Sequence, residues 1–402
     1  MSEPVTVFDT TLRDGEQSAG VCFSARDKLE IARQLDSMRV DVIEAGFPAS
    51  SASELAAVAE VGRGVRNATI CALARALPGD VDAAAEALRF AAQPRIHVFV
   101  NSSDIQLAHQ LRKNRDEVVT MAGAMVRRAR TYTDDVEFSP MDATRADPAF
   151  VVEIVRAALG AGARTINVPD TVGAALPADV AALVRRLFAE IPGLQDAVVS
   201  FHGQDDLGLA TANALAAIEA GARQVEVAVN GIGERAGNTS FEEVIAAIHV
   251  HGSRLGVQTN VDLSGICTVS RLVEERSGMA VQANKAVVGR NAFRHASGVH
   301  QDGVLKHRST YELLDPRVIG HPVGTEIVLG KLSGRSGFAQ RVAALGLELS
   351  GAALDRAFAR FQTMAEGKGE VDDSDVLAIC GANSLSGDAR VVPPAPGFAL
   401  DL

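Results

Sequence analysis

The sequence predicts a closed (β/α)8 barrel, of class α/β, followed by a smaller α-rich appendage. Three observations predict it. Short β-branched runs alternate with longer amphipathic stretches along the first part of the chain. Eight such pairs fit within about 250 residues, which is the size of a closed barrel. No Gly-x-Gly-x-x-Gly follows the first apolar run, so the main signature of an open doubly wound sheet is missing.

Strands are expected over residues 5–8, 42–45, 69–73, 96–100, 136–138, 165–168, 198–201 and 224–229. Each is a short run rich in Val, Ile, Thr and Phe, the side chains that suit a pleated surface. Helices are expected over 25–37, 53–61, 81–91, 115–130, 148–161, 177–189, 207–220 and 241–251. Their apolar residues recur at helical spacing. The pattern changes after about residue 255. A helix over 264–277 leads into a glycine- and histidine-rich segment, 284–306, then helices over 336–344, 351–368 and 373–379. The expected organisation is a barrel over 1–255, a linking subdomain over 256–325, a helical subdomain over 326–385 and a flexible tail over 386–402.

Composition narrows the partners. The chain has 402 residues, 47% of them hydrophobic but only 4% aromatic, so the core must be aliphatic. A net charge of −11 argues against a nucleic-acid surface, which needs a basic stripe. Four cysteines without paired spacing read as reduced thiols of a cytoplasmic protein. No secretory leader and no membrane-length apolar run is visible.

Polar residues cluster where each expected strand ends, which is where barrels build sites. The first strand runs into Asp9-Thr-Thr-Leu-Arg-Asp-Gly-Glu-Gln17, which offers Arg13, Asp14 and Gln17. Asp14 suits a divalent cation and Arg13 suits negative charge on a carbonyl oxygen. Alone, the Arg-Asp-Gly triplet fits a surface turn with a salt bridge better than a site. Further strand ends offer Glu44, Arg75, Asn101, Ser139, Met141, Asp142, Asn167, Thr171 and His202. His202 and Gln204, two apart on a strand, point to one side. With Asp14 and Asn238 they form a mixed O/N set that suits Mg²⁺, Mn²⁺ or Zn²⁺. His202 alone fits a hydrogen-bonded rim histidine. The glycine-rich run after the last strand holds Gly231, Gly233, Glu234, Arg235 and Gly237. It reads as a plain loop, or as backbone N–H groups set close to a phosphate or thioester. In the appendage, His295 and His300 lie in a dense polar run that could supply a general base, with Tyr311 downstream.

Together these motifs resemble the α-isopropylmalate synthase group of the acyl-CoA-condensing metallo-barrels. The carriers are the Asp9 to Gln17 run, Glu44-Ala-Gly-Phe-Pro48, residues 134–139, 167–173, 206–213, 221–226 and 230–238, and His300-Gln-Asp-Gly303. The match is close from Thr6 to about Lys306 and looser to about Ile379. The resemblance implies a Claisen condensation of acetyl-CoA with a 2-oxo acid, 2-oxoisovalerate foremost. It implies a metal on Asp14, His202, Gln204 and Asn238, catalysis by Arg13, His300 and Tyr311, and substrate contacts from Gln17, Leu73, Ser139, Asn167 and Thr171. It also places acetyl-CoA on Gly231, Gly233, Glu234, Arg235 and Gly237. It implies a homodimer whose appendage completes the neighbouring barrel. The substrate side chain is expected against Leu73, Val100, Ser139, Asn167 and Pro169.

The chain departs from the family at three positions. Gln204 stands where a second histidine is usual, Met141 where Glu is usual, and Thr144 where Gly is usual. A thioether cannot accept a proton, so the role of the missing Glu is expected to be either lost or taken by a neighbour such as Asp142. The chain stops near where a leucine-sensing domain would begin, so feedback of that form is expected to be absent. The alternatives are a sibling synthase (citramalate, homocitrate, benzylmalate or alkylmalate type), a related lyase, or a 2-oxo-acid-binding barrel impaired in turnover.

Overall fold

The computed structural model describes residues 2–381 and 390–391. Two compact units divide the chain: Met1–Val281 with Ala286–Val288, and Gln282–Lys285 with Gly289–Leu402.

In the first unit eight parallel strands close into a barrel. They are β1 (Thr6–Asp9), β2 (Val42–Gly46), β3 (Thr69–Arg75), β4 (Pro94–Asn101), β5 (Val136–Met141), β6 (Thr165–Asp170), β7 (Val198–Gly203) and β8 (Gln224–Val227). Each pairs with its neighbour in sequence, and β8 closes on β1 through Thr6 opposite Gln224 and Phe8 opposite Glu226. The intervening helices are α1 (Ala25–Ser37), α2 (Ala52–Gly64), α3 (Pro78–Leu88), α4 (Arg115–Ala129), α5 (Pro148–Gly160), α6 (Pro177–Glu190), α7 (Ala210–Glu219) and α8 (Phe241–Leu255). Local chemistry starts them. Ser24 and Asp27 form a capping box on α1, and Asn114 and Glu117 form one on α4. Proline opens α3, α5 and α6, where its missing N–H costs nothing.

The period-two alternation of the strands divides the residues into two sets. Ile96, Val98 and Val100 of β4, Phe138 of β5 and Ile166 and Val168 of β6 are buried against the helical layer. The residues between them face the barrel interior and are largely polar. Hydrogen bonds crossing the interior show this. Arg95 of β4 reaches Gln224 of β8 (2.8 Å), which reaches Glu137 of β5 (2.8 Å) and Ser200 of β7 (3.0 Å). Phe8, Val42 and Cys71 form a small apolar plug among them.

Several expectations need correction. The barrel unit extends to about residue 281 rather than 255. Helix α9 (Ile266–Ser277) belongs to it, because Asn230 and Ser270 hydrogen-bond in both directions and Arg276 pairs with Glu30 of α1. Of the stretches expected as two subdomains, 256–325 and 326–385, the residues from Gly289 onward fall in one second unit. The last barrel strand ends at Val227 rather than 229 and turns at Val229–Gly231. Part of the histidine-rich segment, for which no element was assigned, is helix α10 (Gly298–Lys306). Buried Gln301 anchors it through its amide to the carbonyls of His295 and Val328. In the same unit α11 (Arg335–Ala344), α12 (Gly351–Gly367) and α13 (Asp373–Ile379) enclose a core of Phe338, Val342, Phe361 and Val376. The tail expected over 386–402 lies outside the described residues, apart from Arg390–Val391, which pairs antiparallel with Leu347–Glu348. No helix among the described residues is long and apolar enough to cross a membrane.

Asp9, at the end of β1, is fully buried, and its carboxylate accepts from the Thr11 N–H and O–H, both at 3.0 Å. Burial pushes its pKa up to about 7. The folded state therefore binds this proton more tightly than the unfolded chain. The contribution of this group to stability is full below the unfolded value near 4 and is lost as pH rises through about 7. Asp9→Asn removes this cost. In urea titrations the variant should be more stable than the parent by about 3–4 kcal/mol at pH 8 and by only about 1 kcal/mol at pH 4.5. An equal difference at both pH values would contradict the assignment.

Candidate active site

The C-terminal ends of the strands surround a cavity of about 260 Å³. Arg13, Asp14 and Gln17 line it after β1, and Phe47 after β2. Leu73, His97, Phe99, Ser139, Met141, Asn167, Pro169 and Thr171 line it from β3 to the end of β6. His202, Gln204, Glu226, Glu234 and Arg235 complete the wall.

Arg13 is the hub of the first half. Its Nε donates to Glu44 Oε2 (2.6 Å) and its Nη1 to Asp14 Oδ2 (2.7 Å). Glu44 also accepts from Thr10 Oγ1 (2.8 Å), and its Oε1 meets His97 Nδ1 (2.9 Å). His97 Nε2 continues to Ser139 Oγ (2.7 Å), which accepts from Asn167 Nδ2 (2.9 Å). Burial opposes charge on all of these groups, yet pairing wins. Burial alone would raise Glu44, but the Arg13 charge and the His97 contact hold its pKa at about 2. Burial likewise opposes Arg13, and Glu44 and Asp14 outweigh it and keep the guanidinium protonated. His97 is raised on balance by Glu44 despite burial.

The second half is a group of lone pairs. His202 Nδ1 lies 2.8 Å from Glu226 Oε2, which fixes the ring and aims Nε2 at the mouth, 3.9 Å from Asp14 Oδ2. Asn238 Nδ2 donates to Asp14 Oδ1 (3.1 Å) and to the Ile232 carbonyl (2.9 Å), leaving its Oδ1 turned inward. Partners decide the Gln204 amide. With its nitrogen on the Gly237 and Glu234 carbonyls (2.9 and 3.2 Å), both donors are satisfied and the oxygen faces Asn238 Oδ1 and His202 Nε2. The opposite orientation sets that oxygen against two carbonyls. Asp14, held ionised by Arg13 and His202 against the effect of burial, completes the set. One carboxylate, one imidazole and two amide oxygens thus converge on one point. Such a set of donors suits a divalent cation.

Two deeper groups also bring ligand-type atoms within 4.8 Å: Glu44, Cys71 and His97, and His97, Glu137 and Glu226. Their atoms are mostly engaged. Arg95 and Gln224 donate to Glu137, Arg13 and Thr10 donate to Glu44, and burial pushes the Cys71 thiol well above its usual value. Glu226 Oε1 has no partner among the described residues.

The loops are braced from behind. Buried Lys28 of α1 pairs with Glu16 (2.7 Å) and Glu54 (2.7 Å). Glu16 caps the Phe23 N–H and Glu54 the Phe47 N–H, so one ammonium fixes the loops after β1 and β2.

Most residues expected at the site therefore meet there. Asp14, His202, Gln204 and Asn238 form the lone-pair group. Arg13, Gln17, Leu73, Ser139, Asn167 and Thr171 share the cavity, as do Pro169, Glu234 and Arg235. Val100 does not: it is buried on the opposite face of β4 from Phe99, which lines the cavity instead. Asp142 does not replace the missing Glu, because its carboxylate is buried against Ser103 Oγ (2.5 Å) and Arg145 (2.7 Å). Thr144 donates to Asp170 Oδ1 (2.7 Å). Arg75 pairs with Asp80 (2.6 Å) and lies over the Phe47 ring, outside the cavity lining. Gly231 and Gly237 spend their N–H groups inside their own loop, on Ala228 and Glu234, so they do not form an open anion cradle. Gly233 accepts from Ser18 Oγ at its carbonyl (3.1 Å). In the second unit, His300 and Tyr311 stack at 4.0 Å and both are exposed. His295 is instead buried and meets Glu312 (3.1 Å). His97, Glu226, Phe47 and Phe99 were not expected at the site. Counting outward from His97 along β4 in steps of two would have found the polar face.

Fold and site define a class: a (β/α)8 barrel with an acidic, nitrogen- and amide-bearing mouth beside a paired arginine. Comparison narrows it. Residues 4–273 match the HMGL-like family and residues 287–369 the "Homocitrate synthase post-HMGL domain-like" family. The 2-isopropylmalate synthase of Pelotomaculum thermopropionicum is 48% identical over 393 residues, covering 98% of this chain and 77% of that protein. The enzyme of the same name from Pyrococcus furiosus is 50% identical over 379 residues, covering 94% and 76%. Among solved structures, hydroxymethylglutaryl-CoA lyase from Pseudomonas aeruginosa superposes with a TM-score of 0.59 at 22% identity, over 70% of this chain and 95% of that one. The Brucella melitensis lyase gives 0.57 at 21%, over 69% and 100%. These two show the shared barrel fold. The chain belongs to the 2-isopropylmalate synthase family of HMGL-like barrels.

Gly237 ties the loop to the lone-pair group. Its φ is +98°, and a Cβ there would sit 2.0 Å from the Gly231 carbonyl. Gly237→Ala must move the carbonyl that holds Gln204. Calorimetric titration with Mn²⁺ should show affinity falling about tenfold to a hundredfold. Unchanged affinity would detach the loop from cation binding.

Proposed function

We propose that this chain condenses acetyl-CoA with a 2-oxo acid, 2-oxoisovalerate before others, to give 2-isopropylmalate and CoA. The observation that carries the reading is the meeting, in one cavity, of Asp14, His202 and Gln204 with the paired Arg13 and an apolar patch of Phe47, Leu73, Phe99, Met141 and Pro169. The names of relatives about 50% identical support it.

Asp14, His202, Gln204 and Asn238 would hold Mg²⁺, Mn²⁺ or Zn²⁺. When bound, the cation supplies Lewis acidity toward the ketone and carboxylate oxygens of the 2-oxo acid. Thr171 Oγ1 accepts from the Asp142 N–H (2.9 Å), which leaves its hydroxyl hydrogen to donate to the substrate carboxylate. The substrate side chain lies among Leu73, Phe47, Phe99, Ser139, Asn167 and Pro169, with Gln17 at the rim. A base takes a proton from the acetyl methyl group. That carbon bonds to the ketone carbon, and the ketone oxygen gains charge that Arg13 stabilises until it is protonated. Water then cleaves the thioester C–S bond, giving a carboxylate and the free thiol.

His300, stacked on Tyr311, is the proposed base. The loop of Gly231, Gly233, Glu234, Arg235 and Gly237 is proposed to meet acetyl-CoA, with Glu234 and Arg235 as its contact side chains. A homodimer is proposed in which the second unit serves the neighbouring barrel. Exposed Val299 (70%), Leu313 (79%) and Leu332 (74%) in that unit support a covered surface. The free cysteines support a cytoplasmic setting.

Met141 favours a second reading, a sibling synthase for another apolar 2-oxo acid. A thioether adds apolar wall and cannot take a proton. The pairing of Arg75 with Asp80 speaks against a substrate with a second carboxylate.

The test is thiol release from acetyl-CoA with Mn²⁺ across a panel of 2-oxo acids. Release should be fastest with 2-oxoisovalerate, and Arg13→Lys should lower kcat about a hundredfold to a thousandfold. Release with another acid alone would move the enzyme to the sibling reading. No release with any acid, while one still binds, would sink both.

A further inference from the structure

We propose that Gln204 sets the cation preference of the barrel mouth, restraining Zn²⁺ relative to Mg²⁺ and Mn²⁺. This rests on the metal reading above and goes beyond it by assigning selectivity to one side chain.

The inference starts from how firmly the amide is held. Gln204 is 4% exposed. Its backbone N–H donates to the Asp170 carbonyl (3.2 Å), and the residue bridges antiparallel to Asn238. Its side-chain nitrogen has two carbonyl partners, so the oxygen cannot rotate away from the cluster without breaking both bonds. The donor set is therefore fixed as three oxygens and one nitrogen, with a single negative charge. Imidazole suits Zn²⁺, whereas carboxylate and carbonyl oxygens suit Mg²⁺ and Mn²⁺. Gln204 lies two residues beyond His202 on the same inward face, so its side chain decides whether the set holds one imidazole or two. No described cysteine lies in the cavity lining to supply a softer donor.

Gln204→His adds the second nitrogen. Calorimetric titration of the full chain with each metal alone should show Zn²⁺ binding about tenfold tighter than in the parent. Mg²⁺ binding should change by less than about threefold. Electron spin-echo envelope modulation of bound Mn²⁺ should show one coordinated imidazole nitrogen in the parent and two in the variant. Gln204→Leu provides a second line if the histidine variant does not fold. It removes the oxygen and should weaken Mn²⁺ about tenfold. An unchanged ratio of Zn²⁺ to Mg²⁺ affinity in Gln204→His, Mn²⁺ binding in Gln204→Leu equal to the parent, two nitrogens in the parent, or no cation bound by the parent would each overturn the proposal. One coordinated nitrogen in a parent that releases no thiol would sink the synthase reading and leave this one standing.

Discussion

The pairing of Arg13 with Glu44 is the interaction on which the barrel mouth depends. Both side chains lie largely out of water, where an unpaired charge costs several kcal/mol. Two bonds to carboxylates satisfy the guanidinium, and Glu44 gathers Thr10, Arg13 and His97 around one group. The chain then runs through Ser139 to Asn167, so five strands or their loops are tied by polar bonds. This network keeps Arg13 protonated and fixed in direction. A preorganised cation is most effective where negative charge develops in a site sheltered from water. The polar interior of the barrel is therefore both a packing solution and a chemical one.

A second constraint concerns acceptors. Asp14, Asn238, Gln204 and His202 turn lone pairs to one place, and outer partners hold each in that pose. Glu226 holds the imidazole, Ile232 the Asn238 amide, and Gly237 with Glu234 the Gln204 amide. Bonds behind these groups hold them in the pose that a cation site needs. The eighth loop thus works chiefly by bracing the seventh strand. That explains why this glycine-rich run spends two of its glycine N–H groups internally.

Much of this was legible in sequence. The aliphatic outward face of each strand marks all eight strands within a few residues, because it must pack against helices. Polar strand ends gave Arg13, Asp14, His202, Gln204 and Asn238, since loops after parallel strands can carry little else in such density. What stayed hidden lies inside strands. His97 and Glu226 sit between apolar neighbours and read as interruptions until period two is applied to the inward face. Val100 was misassigned for the same reason, one residue out of phase. Met141 shows another limit. Its neighbour Asp142 seemed able to replace the missing carboxylate, but it lies just past the strand end with a left-handed backbone (φ 69°) and is spent on Ser103 and Arg145. Long-range partners, such as the carbonyls that orient Gln204, leave no mark in local sequence.

The most direct measurement is carbon-13 NMR of the product formed from acetyl-CoA labelled at the acetyl methyl carbon, with 2-oxoisovalerate and Mn²⁺. The account predicts that the label appears in the methylene carbon of 2-isopropylmalate as CoA is released. Label recovered only in acetyl-CoA or in free acetate would contradict it, because no carbon–carbon bond would have formed.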